Sequence, residues 1–259
     1  MGQAGPMTSS AARVAVIGGS GFYDLGVDAD AVVVDTPWGR PSGPVAVGEL
    51  GGVPLAFLAR HGPDHRLPPH RVDHRANLWA LRSLGVERVV ASFACGSLRA
   101  DLGPGSLVVP DQLIDRTAGR ADTIYDEFVD GPQHAAFAQP YDDVVRRALL
   151  DAATGLDDGA TDGATVVVIN GPRFATAAES RSYRAAGADL INMTQYPETV
   201  IARELGLAYG ALGLVTDFDA GLEDRPDVEA VTQEAVFEVF AANLPRLRAV
   251  VIEAARALG

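Results

Sequence analysis

Two carboxylates stand two positions apart at the end of an apolar run. In LVTDFDAG (214–221), Asp217 and Asp219 flank one aromatic residue. Acids this close repel one another, and a pocket that excludes water penalises their charge. One of the two can therefore stay protonated near neutrality. Such a group can give a proton to a leaving group while its ionised neighbour accepts a hydrogen bond. The plain alternative is a pair of caps or turn formers.

A second stretch, ARHGPDHRLPPHRVDHRANLWAL (59–81), holds four of the five histidines and four arginines. Arg60 follows a strand-like run, which suits a two-pronged clamp on a phosphate. His61 is placed to donate to the same anion. The turn VIGGSGFYD (16–24) offers free N–H groups and the Ser20 hydroxyl as an anion nest. It also hints at a dinucleotide fold and a nicotinamide-dependent oxidoreductase. However, Asp24 stands where the third glycine of that fingerprint belongs. A tight turn without a ligand is the bland reading.

NGPRFATAAES (170–180) and INMTQYPE (191–198) sit where strands end and helices begin, the places where α/β proteins hold ligands. Phe174, Met193 and Thr194 are candidate contacts there. Taken alone, Met193 would serve the core and Thr194 a cap. Cys95 has no base beside it in sequence and reads as a small buried hydrophobe. The histidine and cysteine spacings match no zinc site, so no metal is expected.

These residues need a scaffold. Residues 13–19 read as a first strand, and 44–60 as a hairpin turning at Gly51–Gly52. Helical spacing runs over 74–85, a buried strand over 86–98, and a strand and turn over 105–116. A helix over 141–156 leads to a turn at 157–164 and a strand at 165–174. Thr176 and Glu179 form a capping box for a helix over 176–187. A short strand (188–194), a helix with proline in its first turn (196–206) and a last strand (207–217) follow. A long terminal helix, 232–258, is expected to bend at Pro245. The alternation predicts one α/β domain over 13–259 behind a loose tail, 1–12.

A net charge of −13 argues against a nucleic-acid or anionic-membrane partner, though a local arginine can still hold a small anion. A single cysteine fits a reducing cytoplasm. No apolar run is long enough to span a bilayer.

Taken in order, IGGSGFYD, TPWGRPS, LARHG, ANLWAL, ACGSLR, DQLIDRT, GPRFATAAES, INMT-YPE and TDFD resemble the methylthioadenosine phosphorylase branch of the trimeric purine nucleoside phosphorylases. The resemblance covers residues 13–257. It implies a single α/β domain with a mixed, partly barrel-like sheet surrounded by helices, a homotrimer, and no cofactor beyond inorganic phosphate as co-substrate. Phosphate would attack C1′ of a purine nucleoside and release the base. By motif, Ser20, Arg60, His61, Phe93, Ala94 and Thr194 would surround phosphate, Met193 would pack on ribose, and Asp217 and Asp219 would meet the base. An acid that accepts from the 6-amino group and another that donates to N7 suit a 6-aminopurine, with Asp217 as the donor to N7. Asparagine takes the first of these places in relatives that use 6-oxopurines.

Three departures bear on details. Phe93 replaces a small hydroxyl residue at the phosphate, leaving only main chain to contribute. Ala175 replaces a serine near the base. Gln233 replaces a valine beside the 5′ substituent, where Val236 and Phe237 still offer apolar surface and His134 of a neighbouring subunit would close the pocket. Methylthioadenosine is the expected substrate, with adenosine or another 5′-modified adenosine as the alternative. A non-catalytic nucleoside-binding protein is the reading from another class.

Overall fold

The computed structural model describes residues 12–24, 26, 28–129, 131–220 and 231–259. The expected tail falls on residues outside this set, except Ala12, which is already buried in the core.

The strands are β1 (Val14–Gly18), β2 (Ala29–Val32), β3 (Val45–Leu50), β4 (Val53–Ala59), β5 (Arg88–Ser97), β6 (Leu107–Val109), β7 (Gln112–Arg116), β8 (Thr161–Asp162), β9 (Thr165–Ile169), β10 (Leu190–Asn192) and β11 (Ala208–Asp217). The helices are α1 (His74–Ser83), α2 (Asp143–Ala153), α3 (Ala177–Ala185), α4 (Gln195–Glu204) and α5 (Gln233–Leu258). Pro110 has no N–H to give a ladder, and it splits the single strand expected over 105–116. β6 then pairs with β11 and β8, while β7 pairs with β9. The turn expected at 157–164 contains the short β8. α5 passes through Pro245 as one helix.

All eleven strands belong to one mixed sheet, which does not close into a barrel. β5 is its branch point. Along one edge it pairs with β11 for almost its whole length. Along the other, its first half pairs with β1 in parallel and its end pairs with β10 antiparallel. The sheet therefore splays instead of curling shut. β5 is buried at nearly every position, as a strand covered on both faces must be. One face packs a core that includes Ala91, Phe93, Cys95, Ile201 and Ala202, the last two from α4. The other packs Val90, Leu212 and Leu214 against α2 and α5.

β4, β1, β5 and β11 run parallel and side by side. Their carboxyl ends therefore share one rim of the sheet, where open α/β folds bind ligands. No helix follows the glycine turn after β1; the described chain goes on to β2. The turn thus lacks the helix N-terminus that a dinucleotide pyrophosphate needs.

Candidate active site

Each strand of that rim delivers one piece of a site. β1 ends in the Gly19–Gly21 turn, β4 runs into Arg60 and His61, β5 carries 93–96 past the centre, and β11 ends at Asp217. The chain after β10 folds back over β5, and Asn192 Nδ2 ties it down by donating to the Ala94 carbonyl at 2.9 Å. The Asn192 side-chain oxygen accepts from the N–H groups of Thr194 (2.7 Å) and Gln195 (2.8 Å). Asn192, which the sequence did not single out, thus shapes the loop that presents Met193 and Thr194.

These elements enclose a cavity of about 330 Å³. Its wall includes every expected phosphate neighbour: Ser20, Arg60, His61, Phe93, Ala94 and Thr194. It also includes Met193, Phe174, Ala175, Asp217 and Asp219, and from α5 it takes Gln233, Val236 and Phe237. His134 is the exception. It lies outside this cavity, on an exposed segment, with its ring 5.7 Å from that of Phe128. The segment carrying it does not reach the rim within one chain.

Arg60 differs from the expected clamp. Its guanidinium is buried, and its side-on fork is taken by Glu198: Nε donates at 2.6 Å and Nη2 at 2.7 Å. Nη1 donates to the Ser92 carbonyl at 2.8 Å. Only the remaining Nη hydrogens are left for a ligand. Burial opposes the Arg60 charge, and Glu198 more than offsets it. Burial likewise pushes Glu198 up, yet the charge and hydrogen bonds of Arg60 hold it well below the usual carboxylate range. Tyr209 also donates to Glu198 at 2.6 Å. His74 Nδ1 stands 3.2 Å from Glu198 Oε2, and burial lowers its affinity for a proton.

The glycine turn is a partial nest. The Gly19 N–H is spent on the Ser92 hydroxyl (3.1 Å) and the Phe22 N–H on the Gly19 carbonyl (3.1 Å). Among the described residues, the Ser20 and Gly21 N–H groups have no protein acceptor. Phe93 sends its ring into the core over Gly213: a Cβ at 213 would lie 2.8 Å from the ring tip. The phenyl group is thus housed by a glycine on the neighbouring strand. Cys95 is buried, and burial raises its thiol pKa well above its usual value, with the Asp217 charge adding to that. Both effects disfavour the thiolate that a nucleophile needs.

The acid pair occupies the other side of β5. Asp217 accepts from Thr216 Oγ (2.8 Å) and from the Asp219 N–H (2.7 Å). Asp219 is buried and accepts from the Ser180 hydroxyl on α3. Gly96 lets β5 pass close by, because a Cβ there would lie 2.8 Å from Asp217 Oδ1. Burial raises both carboxyl pKa values, and the Asp219 charge raises that of Asp217 further.

The geometry is that of a bipartite pocket. Arg60 and Ser20 follow strands on one side of β5, and Asp217 ends the strand on the other. At about 4.8 Å per strand, the anion end and the acid end stand roughly 10–14 Å apart. That span suits an oxyanion, a sugar and a heterocycle in a row. Among the described residues no group of three or more His, Cys, Asp or Glu side chains is arranged to hold a metal ion, and no helix is long and apolar enough to cross a membrane.

Comparison with known proteins agrees with this geometry. Residues 13–255 match the family model described as the phosphorylase superfamily. The S-methyl-5'-thioadenosine phosphorylase of Mycolicibacterium smegmatis is 56% identical over 94% of this chain and 90% of its own length. A purine nucleoside phosphorylase of Streptomyces coelicolor is 49% identical over 95% of this chain and 89% of its own. A variant of the adenosine/methylthioadenosine phosphorylase of Schistosoma mansoni, solved with methylthioadenosine, superposes with a TM-score of 0.87 at 37% identity, covering 95% of this chain and 91% of that one. The chain belongs to the phosphorylase superfamily, within its methylthioadenosine phosphorylase family.

Proposed function

We propose that the chain carries out the phosphorolysis of 5'-methylthioadenosine: phosphate attacks C1′, and adenine leaves as 5-methylthioribose 1-phosphate forms. The observation that carries this reading is the single cavity with an anion end at Ser20, Arg60, His61 and Thr194 and a buried acid pair across β5. As the glycosidic bond stretches, positive charge grows on the ribose and negative charge on the purine. Phosphate stabilises the first. Asp217 donates its proton to N7 and neutralises the second, while Asp219, held by Ser180, accepts from the 6-amino group. Positioning and electrostatics then supply the rate, without a covalent enzyme intermediate. No cofactor enters the scheme; phosphate is the co-substrate. The unpaired, buried Cys95 suits a reducing, cytoplasmic setting.

Among the described residues, the 5′ end of the pocket is open. Gln233 and Phe237 are exposed at the start of α5, with Phe237 46% exposed, and Val236 is only half-buried. A second copy would complete the wall. The Tyr125–Phe128–His134 aromatic group, with Phe128 and His134 exposed, is the surface that suits this role, in keeping with the homotrimer that the resemblance implies. Light scattering should give three times the 27.1 kDa chain mass; a monomer at micromolar concentration would remove His134 from the site.

Gln233 is exposed in the single chain, so its amide keeps its water until a second copy covers it. It can meet a 5′-hydroxyl as readily as a methylthio group can meet Val236. Adenine release from methylthioadenosine, adenosine and inosine, with and without phosphate, tests the reading. Methylthioadenosine is expected to lead, adenosine to follow and inosine to fail. Gln233→Val should raise the kcat/KM ratio of methylthioadenosine to adenosine roughly tenfold. An unchanged ratio would separate Gln233 from substrate choice.

A further inference from the structure

Arg120 is not part of the cavity wall, yet it joins two loops that are. β9 and β10 pair in parallel, so the segments that leave them run side by side. The first, 170–176, brings Phe174 and Ala175 to the cavity, and the second, 193–194, brings Met193 and Thr194. They meet at Gly171, whose φ is +60° and where an added Cβ would collide with Met193 Sδ. Neither segment is strand or helix, so no ladder of backbone bonds fixes one against the other.

A third segment does so. β7 pairs with β9 on its other side, and the chain continues from β7 into 117–124. The Asn170 side chain ties down the start of that segment. Its Oδ1 accepts from the Ala118 N–H at 3.1 Å, and its Nδ2 donates to the Ala118 carbonyl at 3.0 Å. At the far end, Thr123 Oγ and the Ile124 N–H donate to Glu204 on α4, at 2.9 and 2.8 Å. Arg120 reaches inward between these anchors. Nη2 donates to the carbonyls of Asn170 (2.9 Å) and Ile169 (3.3 Å), and Nη1 to that of Tyr196 (2.6 Å). The first two acceptors stand at the root of the 170–176 loop. The third follows the Met193 loop, where the backbone leaves the helical range at Tyr196 (φ −117°, ψ 132°). The buried Nε has no acceptor among the described residues. A planar fork with donors on separate nitrogens holds two chains at a set distance, which a single ammonium cannot.

We propose that Arg120 is a positioning residue for the nucleoside: its fork holds the Phe174 loop and the Met193 loop at the spacing in which base and sugar fit together. The proposal rests on the phosphorolysis reading for the identity of the ligand. Without the fork, Phe174 and Met193 are free to shift against one another. A displacement of about 1 Å can cost about 10²-fold in rate even when it starts far from the chemistry. The anion end is built mainly from other strands. Ser20, Arg60 and His61 follow β1 and β4, which lie across β5 from β10 and β9. Of that end, Thr194 alone sits on a bridged loop, so phosphate binding is largely spared.

Calorimetry of methylthioadenosine without phosphate, and of phosphate without nucleoside, separates this role from a plain loss of stability. In Arg120→Ala, nucleoside affinity should fall about tenfold or more and kcat about 10- to 100-fold, while phosphate affinity stays within about threefold. Arg120→Lys keeps the charge and most of the stem. It can serve one loop at a time, so it should still weaken the nucleoside at least about fivefold. An Arg120→Lys variant that binds methylthioadenosine as the wild type does overturns the proposal, whether or not Arg120→Ala folds. So does a variant that weakens nucleoside and phosphate equally, because that marks a general loosening of the fold. A wild type that binds methylthioadenosine yet releases no adenine with phosphate sinks the phosphorolysis reading instead, and the binding comparison still judges Arg120.

Discussion

Asp217→Asn is expected to lower kcat for methylthioadenosine by about 10²–10⁴-fold, the usual worth of a positioned general acid. An amide occupies the same space and can donate a hydrogen bond, but it cannot transfer a proton to N7. KM should change little, because the ground-state base keeps a donor opposite N7. The same amide can donate to O6 of a 6-oxopurine, so the inosine-to-adenosine ratio of kcat/KM should rise. A variant with wild-type kcat would end the proton-donor role of Asp217, and one with unchanged base preference would end its role in selectivity.

The variant should also alter how stability depends on pH. Burial raises the Asp217 carboxyl pKa, and the Asp219 charge adds to that. Between the unfolded and folded pKa values the folded state binds more protons than the unfolded state, so stability falls as pH rises through this window. Above the folded pKa the full cost of the buried charge remains. Asparagine does not titrate. Melting temperatures followed from about pH 4, the unfolded carboxylate value, up to pH 8 should therefore fall less in Asp217→Asn than in the wild type. The acid pair is thus held at the expense of stability, as functional groups often are.

Much of this was legible in the chain because it rests on local rules. Hydrophobic periodicity marks β5, β11 and α5 without help from tertiary structure. The Thr176–Glu179 capping box forms as its spacing demands, with Oγ and carboxylate bonds at 3.2 and 2.8 Å. A strand-end position is enough to bring Arg60 and Asp217 to the same rim. What stayed hidden was pairing over distance. Glu198 reads in sequence as an ordinary acid in the first turn of a helix. Its partner Arg60 is 138 positions away, and nothing local announces that they meet. Ser92 and Ser180 look like neutral core and helix residues until their hydroxyls are seen against Gly19 and Asp219. Phe93 looked like a loss at the phosphate site; the glycine on β11 that houses its ring only becomes its neighbour through strand pairing.

Glu198→Ala is expected to cost about 3–5 kcal/mol, the penalty for leaving a buried charge without its partner. Arg60 and Glu198 are both 1% exposed at the side chain, so no water replaces the lost carboxylate. In a chain of this length that corresponds to a fall in Tm of roughly 6–20 °C, and phosphate affinity should fall with it because Arg60 is no longer held in place. Stability and function separate in the double variant Arg60→Met, Glu198→Leu. Two apolar side chains of similar bulk remove both charges together, and replacements of this kind are often neutral for stability. The double variant should therefore regain most of the lost Tm while phosphate-dependent adenine release is lost. If Glu198→Ala melts like the wild type, the pair does not carry the fold. If the double variant recovers turnover along with Tm, Arg60 does not serve the anion. The pair otherwise explains why an acidic chain buries Arg60 beside a glutamate: the fork holds the guanidinium rigid and leaves two Nη hydrogens unspent at the cavity wall.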